Sequence, residues 1–301
     1  MIKRTGAYTI VFESQPVIAG WGSVVGKKEA EGPLKNYFDK IIYDSYDGCD
    51  TFEQAESMFQ GEALEKALER SKTHANEVDC VFLALGGCLV ESGAADRLLA
   101  AASSHFCSAE RQYRFPLEYG GVRTPTAQWT VTGAGSCILK SLKKGICVAR
   151  ATVGRIVDLG VSDANNMGAA MAPAAAQTLE CYLEDTKTSP ENYDMIITGD
   201  LGEVGSKSLY DLLERDGINI RKQHNDCGLM IFERSNQDVH AGGSGCGCAA
   251  SVLCSKIMDD FQNGLVQNIL FMATGTLMSP TSSGQGANIP SIAHLVNLKI
   301  K

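Results

Sequence analysis

Residues Glu91 to His105 lie over residues Gln262 to Thr276 at a constant offset of 171. Each copy reads as a helix end closed by glycine, Gly93 or Gly264, running into a strand that finishes in small hydroxyl residues. Two copies of one supersecondary unit predict a pseudo-twofold α/β fold built from two halves, residues 1–144 and 145–301. Local propensity alone makes Ala94 to Ser103 a helix, because Ala and Leu dominate it. The partner segment Ile269 to Thr274 reads as a strand, and the repeat therefore assigns a strand to both. The copies are unequal upstream. In the second half the glycine-rich loop Gly242 to Cys248 opens a helix that runs to about Asn263. In the first half only Gly86 to Ser92 precedes Gly93, a shortfall of roughly three helical turns at ~3.6 residues per turn.

The remaining pattern agrees with an α/β chain. Tyr8 to Phe12 and Gln15 to Val25 predict an opening hairpin. Thr51 to Asn76 carries Phe52, Ala55, Phe59, Ala63 and Ala67 on one helical face, with Thr51 or Asp50 as its cap. Val78 to Leu85 reads as a short buried strand. The second half repeats the order, with a strand over Gly145 to Val157, a helix over Ala164 to Glu184 and a strand over Tyr193 to Thr198. Trp129, Thr130, Thr132 and Gly133 to Gly135 mark the strand that closes the first-half sheet.

A net charge of −8 argues against nucleic acid, since phosphate neutralisation needs clustered cations and only Lys140 to Lys144 supplies a short cluster. Pro173 interrupts the apolar stretch Met167 to Leu179, and Asn268 to Met278 is shorter than the ~20 residues of a membrane span. The N-terminus does not read as a signal peptide. The eleven cysteines form no CxxC framework, so they read as reduced thiols in a cytosolic compartment, most of them small core residues. His224, Cys227, His240, Cys246 and Cys248 match no closed zinc spacing, and no metal or cofactor is expected.

Several motifs carry a resemblance. They are Trp21-Gly-Ser-Val-Val-Gly26, Glu31-Gly-Pro-Leu34, Ser103-Ser-His105, Ala109-Glu-Arg-Gln-Tyr-Arg-Phe-Pro116, Glu118-Tyr-Gly-Gly121 and Thr126-Ala-Gln-Trp-Thr-Val-Thr-Gly-Ala-Gly135. Further along come Met167-Gly-Ala-Ala-Met-Ala-Pro, Thr198-Gly-Asp-Leu-Gly202, His224-Asn-Asp-Cys-Gly228 and Ala241-Gly-Gly-Ser-Gly-Cys246. Together they resemble the stage V sporulation protein AD family of the thiolase-like superfamily, over almost the whole chain. The resemblance implies duplicated βαβαβ halves in a five-layer αβαβα sandwich. It implies a spore protein that binds dipicolinic acid and assists its uptake into the forespore, beside the stage V sporulation channel proteins. That places it in the cytoplasm, peripheral on the inner membrane of the forespore or spore, and as a homodimer. Thiolase-like enzymes acylate a Cys at the N-terminus of the buried third helix of the first half, where the helix end lowers the thiol pKa. Here that helix is shortened or absent. Cys88 has too few residues after it to start one, and the expected protein is not an enzyme. An acyltransferase of this class and a structural adaptor of the channel complex are the alternatives.

The candidate binding residues follow. Gly245 and Cys246 open the second-half helix, where an N-terminus can receive a carboxylate, although close packing through small residues explains the same loop. Asp200 ends a strand, where α/β sites gather, or caps the next helix. His224, Asp226 and Cys227 form a polar turn that can line a pocket, with a protonated His224 meeting a carboxylate, or simply turn the chain. His105 and Arg111, with Arg114 and Arg123, follow the first-half strand. The guanidinium forks of the arginines suit the two carboxylates of dipicolinate, and solvation is the alternative for any one arginine.

Overall fold

A computed structural model describes residues 3–82, 90, 92–106 and 124–301. The first half supplies strands β1 (Lys3–Thr5), β2 (Thr9–Val11), β3 (Val17–Gly26), helix α1 (Lys27–Ala30), β4 (Lys40–Ile42), α2 (Phe52–Ser71), β5 (Cys80–Phe82), β6 (Arg97–Ser104), β7 (Trp129–Thr130) and β8 (Gly133–Lys140). The second supplies β9 (Ile146–Thr152), α3 (Met167–Thr186), β10 (Met195–Thr198), α4 (Gly202–Arg215), β11 (His224–Asp226), α5 (Cys227–Met230) and β12 (Gly243–Ser244). A continuous helical run follows: α6 (Cys246–Val252), a π turn (Leu253–Ile257) and α7 (Met258–Gln262). Strands β13 (Asn268–Thr276) and β14 (Ser291–Ile300) finish the chain.

Hydrogen bonding links the strands in the order β11-β10-β13-β14-β9-β3-β8-β6-β5. Along this path β3 meets β9 at a single residue pair, Val17 with Cys147. On either side of that join the order is the same: β9, β14, β13 and β10 in one half answer β3, β8, β6 and β5 in the other. The offset of 171 is thus a real equivalence, since Arg97 and Asn268 open the matching strands β6 and β13. Strand pairing overrides the helical propensity of Ala94 to Ser103, because β6 is held between β8 and β5.

A second equivalence runs through the preceding helices at an offset of 115 (residue 52 to 167, residue 79 to 194). Helices α2 and α3 are both twenty residues long. Thr51 accepts from the Gln54 amide and Asn166 from the Ala169 amide. Each helix ends on a left-handed lysine, Lys72 (φ 50°) and Lys187 (φ 56°). Beyond them Asp79 accepts from the amides of Asp96 and Arg97, 2.8 and 2.9 Å away, while Asp194 accepts from those of Gln267 and Asn268 at 2.7 and 2.9 Å. These latches span 17 residues in the first half and 73 in the second. The shortfall is therefore larger than three helical turns. Thr51→Ala is expected to cost about 1 kcal/mol, read as a lower urea midpoint with an unchanged slope.

Layering follows from the helix faces. The small stripe Ala55, Ala63 and Ala67 is fully buried and lets α2 close on β3 and β8. Helix α6 packs on the opposite face of β8 and β6, and α3 covers β14 and β13. A Cβ on Gly135 would lie 2.2 Å from the Ala250 carbonyl oxygen, so only glycine admits the α6 backbone there.

Two expectations change. The opening hairpin is β1 with β2, and β2 continues onto β9 rather than β3. Phe12 and Pro16 both bond to β9, through Ala149 and Val148, so the link between them runs along that strand instead of turning. Trp129 and Thr130 do not close the first-half sheet. They form a separate pair with Gly243 and Ser244, while Gly133 to Gly135 begin β8, which lies inside the sheet between β3 and β6.

Candidate functional site

Strands β10 and β13 lie parallel with Thr198 beside Met272, and the chain leaving β10 runs on against Thr274 of β13, where the N-terminus of α6 also arrives. Asp200 sits at this meeting point, 9% exposed. One carboxylate oxygen accepts from the Thr274 hydroxyl at 2.7 Å and the other from the Gly245 amide at 2.9 Å. Its carbonyl accepts from the Gln128 amide nitrogen at 2.8 Å, and that nitrogen also reaches the Gly243 carbonyl at 2.7 Å. Gly245 holds φ 99°, a backbone state that spares only glycine from strain. Cys246 follows as the first residue of α6 and is exposed.

Two cavities flank this point. One of about 270 Å³ is walled by Met167, Met171 and Gly275, and one of about 350 Å³ by Ala101, Ala249 and Phe271. Asp200, Gly245, Cys246 and Thr274 line both. Three of the sequence-derived candidates, Asp200, Gly245 and Cys246, are thereby brought together.

The other candidates go elsewhere. Asp226 is fully buried and accepts from the Thr198 hydroxyl at 2.6 Å, the Leu201 amide at 2.8 Å and the Gly202 amide at 3.0 Å. It therefore caps α4, the alternative role offered for Asp200. Burial pushes the Asp226 carboxyl up, against the pull of those donors. His224 bonds through Nε2 to the Thr198 hydroxyl at 3.0 Å and through Nδ1 to the Tyr210 hydroxyl at 2.8 Å. Thr198 gives its proton to Asp226, so it accepts from Nε2–H, and Nδ1 accepts from Tyr210. Burial lowers the imidazole to about 4, which opposes the protonated form expected to meet a carboxylate. Cys227 is fully buried, its thiol pushed well up by burial. None of these three lines either cavity.

His105 is buried between Phe52 and Phe59, its ring nitrogens 2.7 Å from the Phe106 carbonyl and 2.8 Å from that of Ser45. It lines a different cavity, of about 420 Å³, together with Glu29. Arg111, Arg114, Arg123 and Cys88 lie outside the described residues. Sequence reasoning missed Thr274 and Glu29. Thr274 had a signal in the hydroxyl-rich strand ends of the repeat, and Glu29 had none. Among the described residues no cluster of three or more His, Cys, Asp or Glu is arranged to hold a metal.

The profile of the stage V sporulation protein AD family (SpoVAD) matches residues 6–83 and 80–299. The chain belongs to this family. The two matched segments meet at residues 80–83, on and just after β5, where the first-half latch is short. Stage V sporulation protein AD of Bacillus subtilis (strain 168) is 37% identical over 328 residues, covering 97% of this chain and 97% of that one. That span is 27 positions longer than the 301-residue chain, so the relative carries residues that have no counterpart here. Among solved structures, cerulenin-bound OleA of Xanthomonas campestris superposes with a TM-score of 0.57 at 12% identity, over 95% of this chain and 99% of that one. The 3-oxoacyl-[acyl-carrier-protein] synthase III of Aquifex aeolicus VF5 gives 0.50 at 12% identity, over 94% and 99%. At such identities the likeness shows the fold, which is thiolase-like.

Proposed function

We propose that this sporulation protein works as a binder rather than an enzyme, taking dipicolinic acid into the paired cavities around Asp200 and Cys246 and assisting its uptake into the forespore. The observation that carries the reading is the placement of the cavities. They open where β10, β13 and the start of α6 converge, the position at which α/β folds collect ligands. Membership of a sporulation family supports the physiological setting. The described lining of both cavities contains no imidazole beside Cys246, so acyl transfer would lack the base that activates a thiol. No described helix is long and apolar enough to cross a membrane. A peripheral place on the forespore inner membrane, contact with the stage V channel proteins and a homodimeric state belong to the same proposal.

Calorimetric titration with dipicolinate tests it. A saturable heat is expected, and at least tenfold weaker binding in Gly275→Phe. A Cβ at Gly275 meets nothing within 4 Å, so the new ring can enter the cavity without straining the fold. No heat at millimolar ligand overturns the binding reading. Transfer of label from radioactive acyl-CoA to the protein overturns the non-enzymatic one.

A further inference from the structure

Three cysteines line the 350 Å³ cavity, namely Cys137, Cys246 and Cys254. Two of them are pressed together by the close approach already described. Cys137 lies two residues beyond Gly135 on β8, and Cys254 lies four residues beyond Ala250 on the helix. Two strand residues and four helical residues both advance by about 6–7 Å. The contact of Gly135 with Ala250 is therefore followed by a contact of Cys137 with Cys254. Both side chains line the same cavity, and their mutual influence draws the Cys137 thiol down and sends that of Cys254 well up. The Cys254 sulfur also lies 3.5 Å from the Ser136 carbonyl oxygen. Cys254 falls within the π turn, a helical irregularity that concentrates at functional sites.

We propose that Cys137 and Cys254 form an oxidisable dithiol that closes to a disulfide when a hydroperoxide enters the cavity. Cys137, as thiolate, attacks one peroxide oxygen. The O–O bond breaks, the leaving hydroxide takes up the thiol proton as water, and Cys137 becomes a sulfenic acid. The sulfur of Cys254 then attacks that of Cys137. The S–O bond breaks, and its oxygen leaves as a second water carrying the Cys254 proton. Two electrons pass from the thiols to one peroxide, which yields one disulfide and two waters. The product ties the helix that forms one wall of the cavity to the strand that forms another.

Hydrogen peroxide applied to the purified full-length chain tests this. The expected intact mass falls by two hydrogens, and a non-reducing digest joins the peptides of Cys137 and Cys254, reversibly with dithiothreitol. Cys246→Ser keeps the link as the major product. Cys137→Ser and Cys254→Ser each lose it, with at least a tenfold drop in joined peptide. If the wild-type digest instead shows both cysteines reduced while Cys246 is oxidised or another pair is joined, the proposal fails. That digest needs no variant to fold.

Discussion

Asp226→Ala is expected to lower the stability of the chain by about 3 kcal/mol, a fall in Tm of roughly 5 °C for a chain of this size. The carboxylate is fully buried and is the acceptor for three donors, the Leu201 and Gly202 amides and the Thr198 hydroxyl. Leu201, the residue at the cap position of α4, contributes no side-chain cap of its own. Truncation leaves two helix-terminal amides without their acceptor in the interior, and each such loss costs about 1–3 kcal/mol. Relief of the buried charge offsets part of the cost, since burial already pushes this carboxyl up. Asp226→Asn keeps the volume but turns an NH2 group toward donors, so it is expected to recover only a fraction. Chemical denaturation measures both. A loss under 1 kcal/mol for the alanine variant would show that the α4 terminus finds other acceptors.

Glu29→Gln is expected to stabilise the protein by about 3 kcal/mol at pH 8 and to have little effect at pH 4.5. Glu29 is 1% exposed. One oxygen accepts from the Thr132 amide at 3.0 Å, and the other has no hydrogen-bond partner among the described residues. Burial lifts its carboxyl to about 7. A carboxyl raised in the folded state binds more protons there than in the unfolded chain. Stability is therefore lost as pH climbs from about 4.5 to about 7, by about 1.4 kcal/mol per unit. His224 has the opposite sign. Its folded value near 4 lies below the unfolded value of 6.5, so its contribution is present above 6.5 and is lost as pH falls toward 4. Between about 4.5 and 6.5 the two slopes nearly cancel in the parent protein. The glutamine variant should therefore show stability rising with pH over that window, read from denaturation midpoints at several pH values. An equal gain at pH 4.5 and pH 8 would assign the effect to packing instead of charge.

Much of the fold was legible because it is written twice. The strand over Arg97 to Ser104 followed from its copy, against its own propensity, and the start of the apolar stripe narrowed the cap to Thr51 or Asp50, of which Thr51 serves. The offset of 115 was legible too, in Lys72-Thr73 with Asp79 against Lys187-Thr188 with Asp194, although it is shorter and less regular. The opening hairpin was misread because local pattern gives strands but not partners, and Phe12 and Pro16 bond to a strand more than 130 residues away. At the site, strand ends and the glycine loop placed Asp200, Gly245 and Cys246 together. The roles of Asp226 and His224 were hidden because they depend on the register of β11 against β10, which sets both beside Thr198. A short polar turn cannot announce whether it faces a cavity or the back of a helix. Glu29 sits on a four-residue helix and is met by the amide of Thr132, on the link between β7 and β8.

The two aspartate latches give the fold a modular seam. In each half one carboxylate just before β5 or β10 grips the two amides at the start of β6 or β13, so the entry and exit points are fastened to one another directly. Whatever chain runs between them is a closed cassette whose length does not have to be transmitted to the rest of the sheet. One latch closes over a sequence separation of 17 and the other over 73, yet the strands they launch occupy matching places. Such a seam lets a lineage rewrite the interior of one half while the opposite half keeps its frame, and it marks the place where this chain and its longer relative can differ without sharing less of a fold.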